Sequence, residues 1–215
     1  MVKLQAILQE ATKMFHDRDV ALAKTIFWNW RYKRYLCPIL LYPDVHFRVG
    51  PKGKIIHKWG RLRMGCRWDI GRFRQSELKI NGTLEINGDF KVMTGSFIDV
   101  CEGATLRLGT GGMNNHAKIV AMESITFGEN VLIGENSIIR DGDVHTLDSS
   151  AKPASSPIKL GSNIWIGMNS TILKGITIGD GVMIGANSLV NRDVPPGTFV
   201  AGSPARVIRE NVQWK

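Results

Sequence analysis

Little in this chain of 215 residues could cross-link it or carry it across a bilayer. Cysteine occurs only three times, at Cys37, Cys66 and Cys101, an odd and widely spaced set without a CxxC pair. A disulfide framework is excluded, and a reducing, cytoplasmic setting is the expectation. No apolar run approaches the roughly 20 residues of a membrane-spanning helix. The longest, around residues 36–42, is broken by Pro38. The first residues carry Lys3, Glu10, Lys13 and Asp17, so a secretory apolar core is absent from them. Acidic residues are scarce in one region. Residues 1–75 hold 16 Lys and Arg against 5 Asp and Glu (+11), whereas residues 76–215 carry −2.

What is present fits a globular protein: 43% hydrophobic and 22% charged residues exclude disorder over the whole length. The size suits one domain with a small appendage. Aromatics share the skew of the charge, with Trp28, Trp30, Trp59 and Trp68 all in the first part. Such a basic, aromatic surface could meet an anionic membrane or an anionic glycan. It could equally be a solvated basic face over buried rings. Nucleic acid is disfavoured as a partner, because no zinc-finger, RRM-like or helix-turn-helix signature is present.

An internal repeat determines the fold class. From Leu160, steps of six reach Ile166, Ile172, Ile178, Ile184 and Val190, all aliphatic. The next positions include Gly161, Gly167, Gly179 and Gly185, and the positions four on are Ile164, Ser170, Ile176, Val182, Ser188 and Val194. The same step links Ile80, Ile86, Val92 and Ile98, and again Ala121, Phe127, Ile133 and Ile139. A period of six is neither that of a helix nor that of an ordinary strand. It suits a short strand and a tight bend, repeated, with the aliphatic inward and glycine relieving the corner. Three such hexads close one coil of a parallel β-helix, and the coils stack.

The register breaks twice. Ile139 to Leu160 is not a multiple of six, so the polar, Ser- and Pro-rich segment 141–159 protrudes as a loop. A second break spans residues 106–121, where GTGGMNNH interrupts the pattern; it lacks the strand–GxGxxG–helix context of a dinucleotide site. Leu4, Ile7, Leu8, Ala11, Met14 and Phe15 share one helical face, and a second short helix follows Asp19. Residues 1–25 read as a cap on the open end of the solenoid. The stretch WNWRYKRYL, residues 28–36, alternates aromatics with cations and reads either as more of that cap or as a membrane-interface contact. Residues 37–77 show no clear period.

Residues 78–210 resemble the left-handed β-helix hexapeptide-repeat acyltransferases. The likeness is most specific in IWIGMNSTILKGITIGDGVMIGANSLVNRDVPPGTFVAGSPARVIR, residues 164–209, which resembles the galactoside, maltose and polysaccharide O-acetyltransferases. The resemblance implies an all-β solenoid, a left-handed parallel β-helix of hexapeptide repeats over residues 78–210. A basic, partly helical region over residues 1–77 precedes it, and a tail over residues 211–215 follows. The resemblance also implies acetyl-CoA as acyl donor, direct transfer to a sugar hydroxyl, and sites between subunits of a homotrimer. The acceptor expected from the basic region is a capsule, lipopolysaccharide or exopolysaccharide unit. A cytoplasmic enzyme with peripheral contact at the inner face of an anionic membrane follows from the same reading.

Transfer to a hydroxyl needs a base that titrates near neutrality, and histidine is the obvious choice. Of His16, His46, His57, His116 and His145, only His145 lies in the protruding loop, where the resembling O-acetyltransferases carry their catalytic histidine. Asp143 and Asp141, in DGDVH, are alternative orienting partners, and each is also a plausible turn former. The amides of Gly167 and Met168 are candidates for stabilising the developing oxyanion. Trp165, between inward Ile164 and Ile166, points outward. The resemblance makes it a wall of the pantetheine groove; a subunit contact is the alternative. Small Ala186 would let pantetheine pass close to the backbone. Arg192 and Arg206 match positions that contact CoA in the resembling enzymes, and Asn191 stands where those enzymes often carry Thr or Ser and could offer a hydrogen bond in their place; a solvated C-terminal face is the alternative for Arg206 and Arg209. Asn114 aligns loosely with a sugar-contacting asparagine.

Three other functions compete with sugar O-acetylation. N-acetylation of an amino sugar needs the same donor. A non-catalytic scaffold would explain the repeat but not the intact WIG and SPARVIR segments. A zinc enzyme of the γ-carbonic anhydrase type would need three convergent histidines, whereas His116 and His145 stand 29 residues apart without a near third. No metal is expected.

Overall fold

The computed structural model describes residues 21–31, 38–66, 74–143 and 154–214. The expected helix over residues 4–15, most of WRYKRYL and the tip of the 141–159 loop, His145 included, lie outside the described residues.

Up to Leu189–Val190 the chain winds through three sheets of parallel strands in strict rotation. Face A has nine strands, from Ile39–Leu41 to Thr198–Gly202 and Ala205–Glu210; face B has seven, from Val45–Val49 to Leu189–Val190; face C has six, from Lys54–His57 to Thr177–Ile178. Each strand pairs with the strand one coil away, as in Val131↔Ile164 and Ile166↔Ile184. This is the all-β solenoid expected, a left-handed parallel β-helix. Every aliphatic of the six-residue steps is inside: Ile80, Ile86, Ile98, Ile139, Ile166 and Ile172 are fully buried, and Phe127, the most exposed of them, reaches only 4%. Alternation along each short strand sends the intervening side chains out.

The corners between faces A and B explain the glycines. Gly134-Glu135-Asn136-Ser137, Gly167-Met168-Asn169-Ser170 and Gly185-Ala186-Asn187-Ser188 stack one above another. A β-carbon at Gly134 would come within 2.5 Å of the Met168 nitrogen, and one at Gly167 within 2.6 Å of the Ala186 nitrogen. The asparagines turn the chain with φ of 56°, 57° and 58°, the left-handed region that asparagine tolerates. The serines point inward, almost fully buried, and bridge coils: Ser137 Oγ donates to the Gly167 carbonyl at 2.9 Å and Ser170 Oγ to that of Gly185 at 3.0 Å. A buried hydroxyl without a partner would cost stability, and here each one ties two coils together.

The solenoid begins well before residue 78. Residues 39–66, aperiodic in hexads, form four strands in register with the later coils, such as Leu62↔Phe90 and Leu84↔Ile55. The strands there are longer, five residues in Val45–Val49 and Leu62–Cys66 against two or three in the last coils, which hides the period while the inward alternation persists. Likewise the break over residues 106–121 is no gap in the stack: Gly111–Met113 takes its place on face A between Phe90–Met93 and Val131–Ile133.

The helix α1, Leu22–Arg31, covers the open edge of face A. Thr25 and Asn29 are buried; the Leu41 amide donates to Thr25 Oγ1 at 3.0 Å, and Asn29 Nδ2 donates to the Ile39 carbonyl at 2.8 Å. Trp28 turns inward, its ring edge-on to Phe47 at 5.2 Å, whereas Trp30 is 66% exposed. The described part of the aromatic stretch, residues 28–31, therefore divides between cap and surface. At the other end Thr198–Gly202 and Ala205–Glu210 form an antiparallel hairpin. Among the described residues no helix is long and apolar enough to cross a membrane.

Two stability measurements follow. Thr25→Val orphans the buried Leu41 amide and should cost about 1–3 kcal/mol in urea unfolding. On face B, burial pushes the Asp99 carboxyl above its usual range against the pull of Lys79, and Asp99 Oδ1 has no hydrogen-bond partner. The folded chain then holds a proton there more readily than the unfolded one, so the cost exists at neutral pH and fades as pH falls through the folded-state value. Asp99→Asn should raise Tm at neutral pH, with an advantage that shrinks in mildly acidic buffer.

Candidate active site

The residues singled out by the sequence fall on two corners of the prism. The first group lies on face A and the corner after it. Trp165 stands 46% exposed in the outward row of face A. Gly167 and the 47%-exposed Met168 follow at the corner, exposed Ala186 sits one coil on, and exposed Arg206 lies on the terminal hairpin against Ala201. Asn114, also exposed, is at the same corner two coils earlier. It shares a groove of about 280 Å³ with Lys91, Gly112, Leu132 and Trp165.

The second group lies at the corner between faces B and C, where the loop leaves the stack. Its stem is a short antiparallel ladder: Gly142 bridges Ser155, and the Asp143 amide donates to the Ala154 carbonyl at 2.7 Å. Asn191 and Arg192, both exposed, follow Val190 at this corner. Within one chain, face B separates them from Trp165 and Ala186.

The two aspartates have different surroundings. Asp141 is fully buried, and its carboxylate accepts three backbone amides, from Met122 at 2.6 Å, Glu123 at 2.9 Å and Ser124 at 2.6 Å. Both oxygens are occupied in holding the turn, which leaves Asp141 the role of loop anchor. Asp143 is 55% exposed and pairs with Lys174 Nζ at 2.6 Å. Lys174 also donates to the Ala154 carbonyl at 3.3 Å, so one ammonium ties both sides of the stem.

The oxyanion candidates also separate. The Gly167 amide donates to the Ile184 carbonyl at 2.7 Å and is committed to the ladder. Met168 remains as the candidate of the pair. Cys101 is a poor nucleophile here: burial, with help from the Asp99 and Asp141 carboxylates, pushes its thiol above its usual pKa. Among the described residues no three His, Cys, Asp or Glu side chains gather as a metal site would require. A larger recess of about 910 Å³ among Lys24, Trp28, Asp44, His46 and Gln75 lies at the far end of the stack, remote from both groups.

Sequence reasoning missed Trp214. Its indole N–H donates to the Asn163 carbonyl at 2.9 Å, and its ring lies 6.3 Å from that of Trp165. The tail thus returns to the outward row of face A. A lone tryptophan next to the C-terminal lysine carries no periodic signal that would announce this.

Residues 157–192 match the family described as bacterial transferase hexapeptide (six repeats). The chain is 40% identical over 112 residues to galactoside O-acetyltransferase of Escherichia coli (strain K12), a match covering 50% of this chain and 55% of that protein. It therefore spans about half the length of that curated relative. The solved polySia-specific acetyltransferase NeuO shares the fold with a TM-score of 0.53 at 21% identity, over 83% of this chain and 89% of that one. AntD, an N-acyltransferase from Bacillus cereus solved in complex with dTDP-4-amino-4,6-dideoxyglucose and Coenzyme A, does so with a TM-score of 0.55 at 15% identity, over 82% of each chain.

The two aspartates can be told apart by stability. Asp141→Asn places an NH2 against at least one amide donor and should cost about 2–3 kcal/mol in chemical denaturation. Asp143→Asn breaks an ion pair whose aspartate is open to solvent and leaves Lys174 its bond to the Ala154 carbonyl, and it should cost under about 1 kcal/mol.

Proposed function

We propose that this chain transfers an acetyl group from acetyl-CoA to a sugar hydroxyl, with His145 as general base and each site built between two copies in a cyclic homotrimer. A capsule, lipopolysaccharide or exopolysaccharide unit is the proposed acceptor. The observation that carries the reading is the division of the candidate residues between two corners. The groove with Trp165, Met168 and Ala186 is on one, and the stem that carries His145 is on the other. A three-fold arrangement brings the first corner of one prism to the second corner of its neighbour, which suits a triangular cross-section. The identity to galactoside O-acetyltransferase supports acetyl transfer and a sugar acceptor.

In the proposed step the His145 imidazole takes the hydroxyl proton as the sugar oxygen attacks the thioester carbonyl carbon. Negative charge collects on the carbonyl oxygen, toward which the Met168 amide is the proposed donor. Collapse breaks the carbon–sulfur bond, and the leaving thiolate takes the proton from the imidazolium. The products are the acetyl ester and free CoA. The Trp165 indole packs the pantetheine arm, and Ala186 leaves it room. Asn191, Arg192 and Arg206 meet the phosphates of CoA, the first two from the neighbouring copy. Asp143 is the proposed orienting partner of His145, with Lys174 holding the stem. N-acetylation of an amino sugar would use the same donor groove, and the fold shared with AntD accommodates it.

Free-thiol release from acetyl-CoA across a panel of sugars and lipid-linked glycans tests the reaction. His145→Ala should lower turnover by about 10²–10⁴-fold while acetyl-CoA binding persists. Ala186→Trp should block the donor groove. If the sites lie between copies, unfolding and refolding the two inactive variants together should restore about a quarter of the wild-type sites. Recovery of no activity from the mixture would place each site within one chain.

A further inference from the structure

The cap helix α1 has two sides with opposite tasks. Thr25 and Asn29 meet the free edge of face A, and Trp28 lies edge-on to Phe47 over the end of the core. Helical rotation places Ile26, Phe27 and Trp30 on the other side, and each is more than half exposed. Because Thr25 and Asn29 bond to the edge strand along the prism axis, this apolar trio points away from the stack along that axis. It lines neither the recess beside Trp28 nor the donor groove. The other large apolar side chains exposed among the described residues are Ile56 and Trp59 on the first coil, those of the donor groove and its corner, and two on the terminal hairpin.

Positive charge is concentrated at the same end. Residues 21–31 and 38–66, which are α1 and the first strands, hold eight Lys and Arg against one carboxylate, Asp44 (+7), when the whole chain carries +9. Lys54 and Lys58 stand exposed on the first coil beside Ile56 and Trp59. Exposed aromatic and aliphatic side chains among cations suit the boundary layer of an anionic bilayer, where the apolar groups enter between headgroups and the cations meet lipid phosphates. A soluble anionic polymer would satisfy the cations and leave the trio facing water. A second copy packed cap to cap would cover the trio but bring a second +7 against the first.

We infer that α1 docks this protein on an anionic lipid surface, with Ile26, Phe27 and Trp30 in the headgroup layer. The inference stands on the cap and is independent of the acyl-transfer reading. Three side chains make a small apolar contact, so insertion and charge are both needed and binding is reversible. Along face A, Trp165 lies five strands from the edge strand Ile39–Leu41, about 24 Å at the usual strand spacing, so the donor groove stays in water. In the proposed trimer, an axis parallel to the prisms turns all three caps to one side, which multiplies the contact.

The test is co-sedimentation of the full chain with vesicles of phosphatidylcholine alone and of phosphatidylcholine and phosphatidylglycerol in equal parts. Wild type should bind the anionic vesicles about tenfold tighter than the neutral ones, and the preference should weaken as salt rises. The double substitution Phe27→Ser, Trp30→Ser removes exposed side chains, so melting should hardly change while binding to anionic vesicles falls about tenfold. Lys58→Glu should also weaken binding, and Lys159→Glu, the same charge change on face C in mid-stack, should alter it little. No binding to either vesicle overturns the inference. So does a double variant that sediments with anionic vesicles as wild type does, since charge alone would then explain the contact. Calorimetric titration with dextran sulfate separates lipid from polymer: if the double variant loses polymer binding as fully as vesicle binding, the trio serves an anionic polymer and the inference fails. It fails too if the double variant changes oligomeric state on size exclusion without vesicles, which would assign the trio to contact between copies.

Discussion

At the corner between faces A and B, successive backbones lie so close that a side chain has no room. Gly134, Gly167 and Gly185 are compelled by the coil above, left-handed asparagines make the turn, and buried serines bridge the coils. This constraint sets the stacking distance and the register of each coil. Because register is fixed, the outward positions of face A align into one row, and the groove beside Trp165 is a property of the stack rather than of any single turn. A substitution at one corner glycine would disturb the site through the register before it touched any site residue.

Much of the fold was legible because the inside of the later coils tolerates one kind of residue at one spacing. Leu160 to Val190 follow a six-residue step, and all are buried. The first coils were not legible from that step. Between Ile39 and Cys66 the strands are paired equally well, but they run to five residues, and a count of six loses its place in them. The apparent break at GTGGMNNH has the same origin, with the added effect that Gly111 and Gly112 give a strand no apolar mark. Two-residue alternation, which survives a change of strand length, was the better guide there.

The site was legible in residue type more than in role. Trp165 points outward as alternation requires. The aspartates are harder to read, since Asp141 and Asp143 are two residues apart in a polar loop and look equivalent. Burial separates them, one clasped by three amides and the other open and paired with Lys174. Lys174 and Trp214 could not be found from sequence, because their partners are brought near only by stacking and by the returning tail. The separation of the candidates onto two corners is likewise a three-dimensional fact. Neighbours along the chain, such as Ala186 and Asn191, face different directions once face B is laid between them.

A parallel solenoid is by nature an open-ended polymer, in which any terminal coil could serve as template for the first coil of another molecule. On face A both directions of growth are stopped, by different means. Thr25 and Asn29 of α1 occupy the amide of Leu41 and the carbonyl of Ile39 that an incoming strand would use. At the other end the last strand, Ala205–Glu210, runs antiparallel, against the direction in which another molecule's coil would have to add. Copies of this chain are thereby denied end-to-end fibre growth along that face. Neither device hinders lateral contact, the kind of contact the proposed trimer would use.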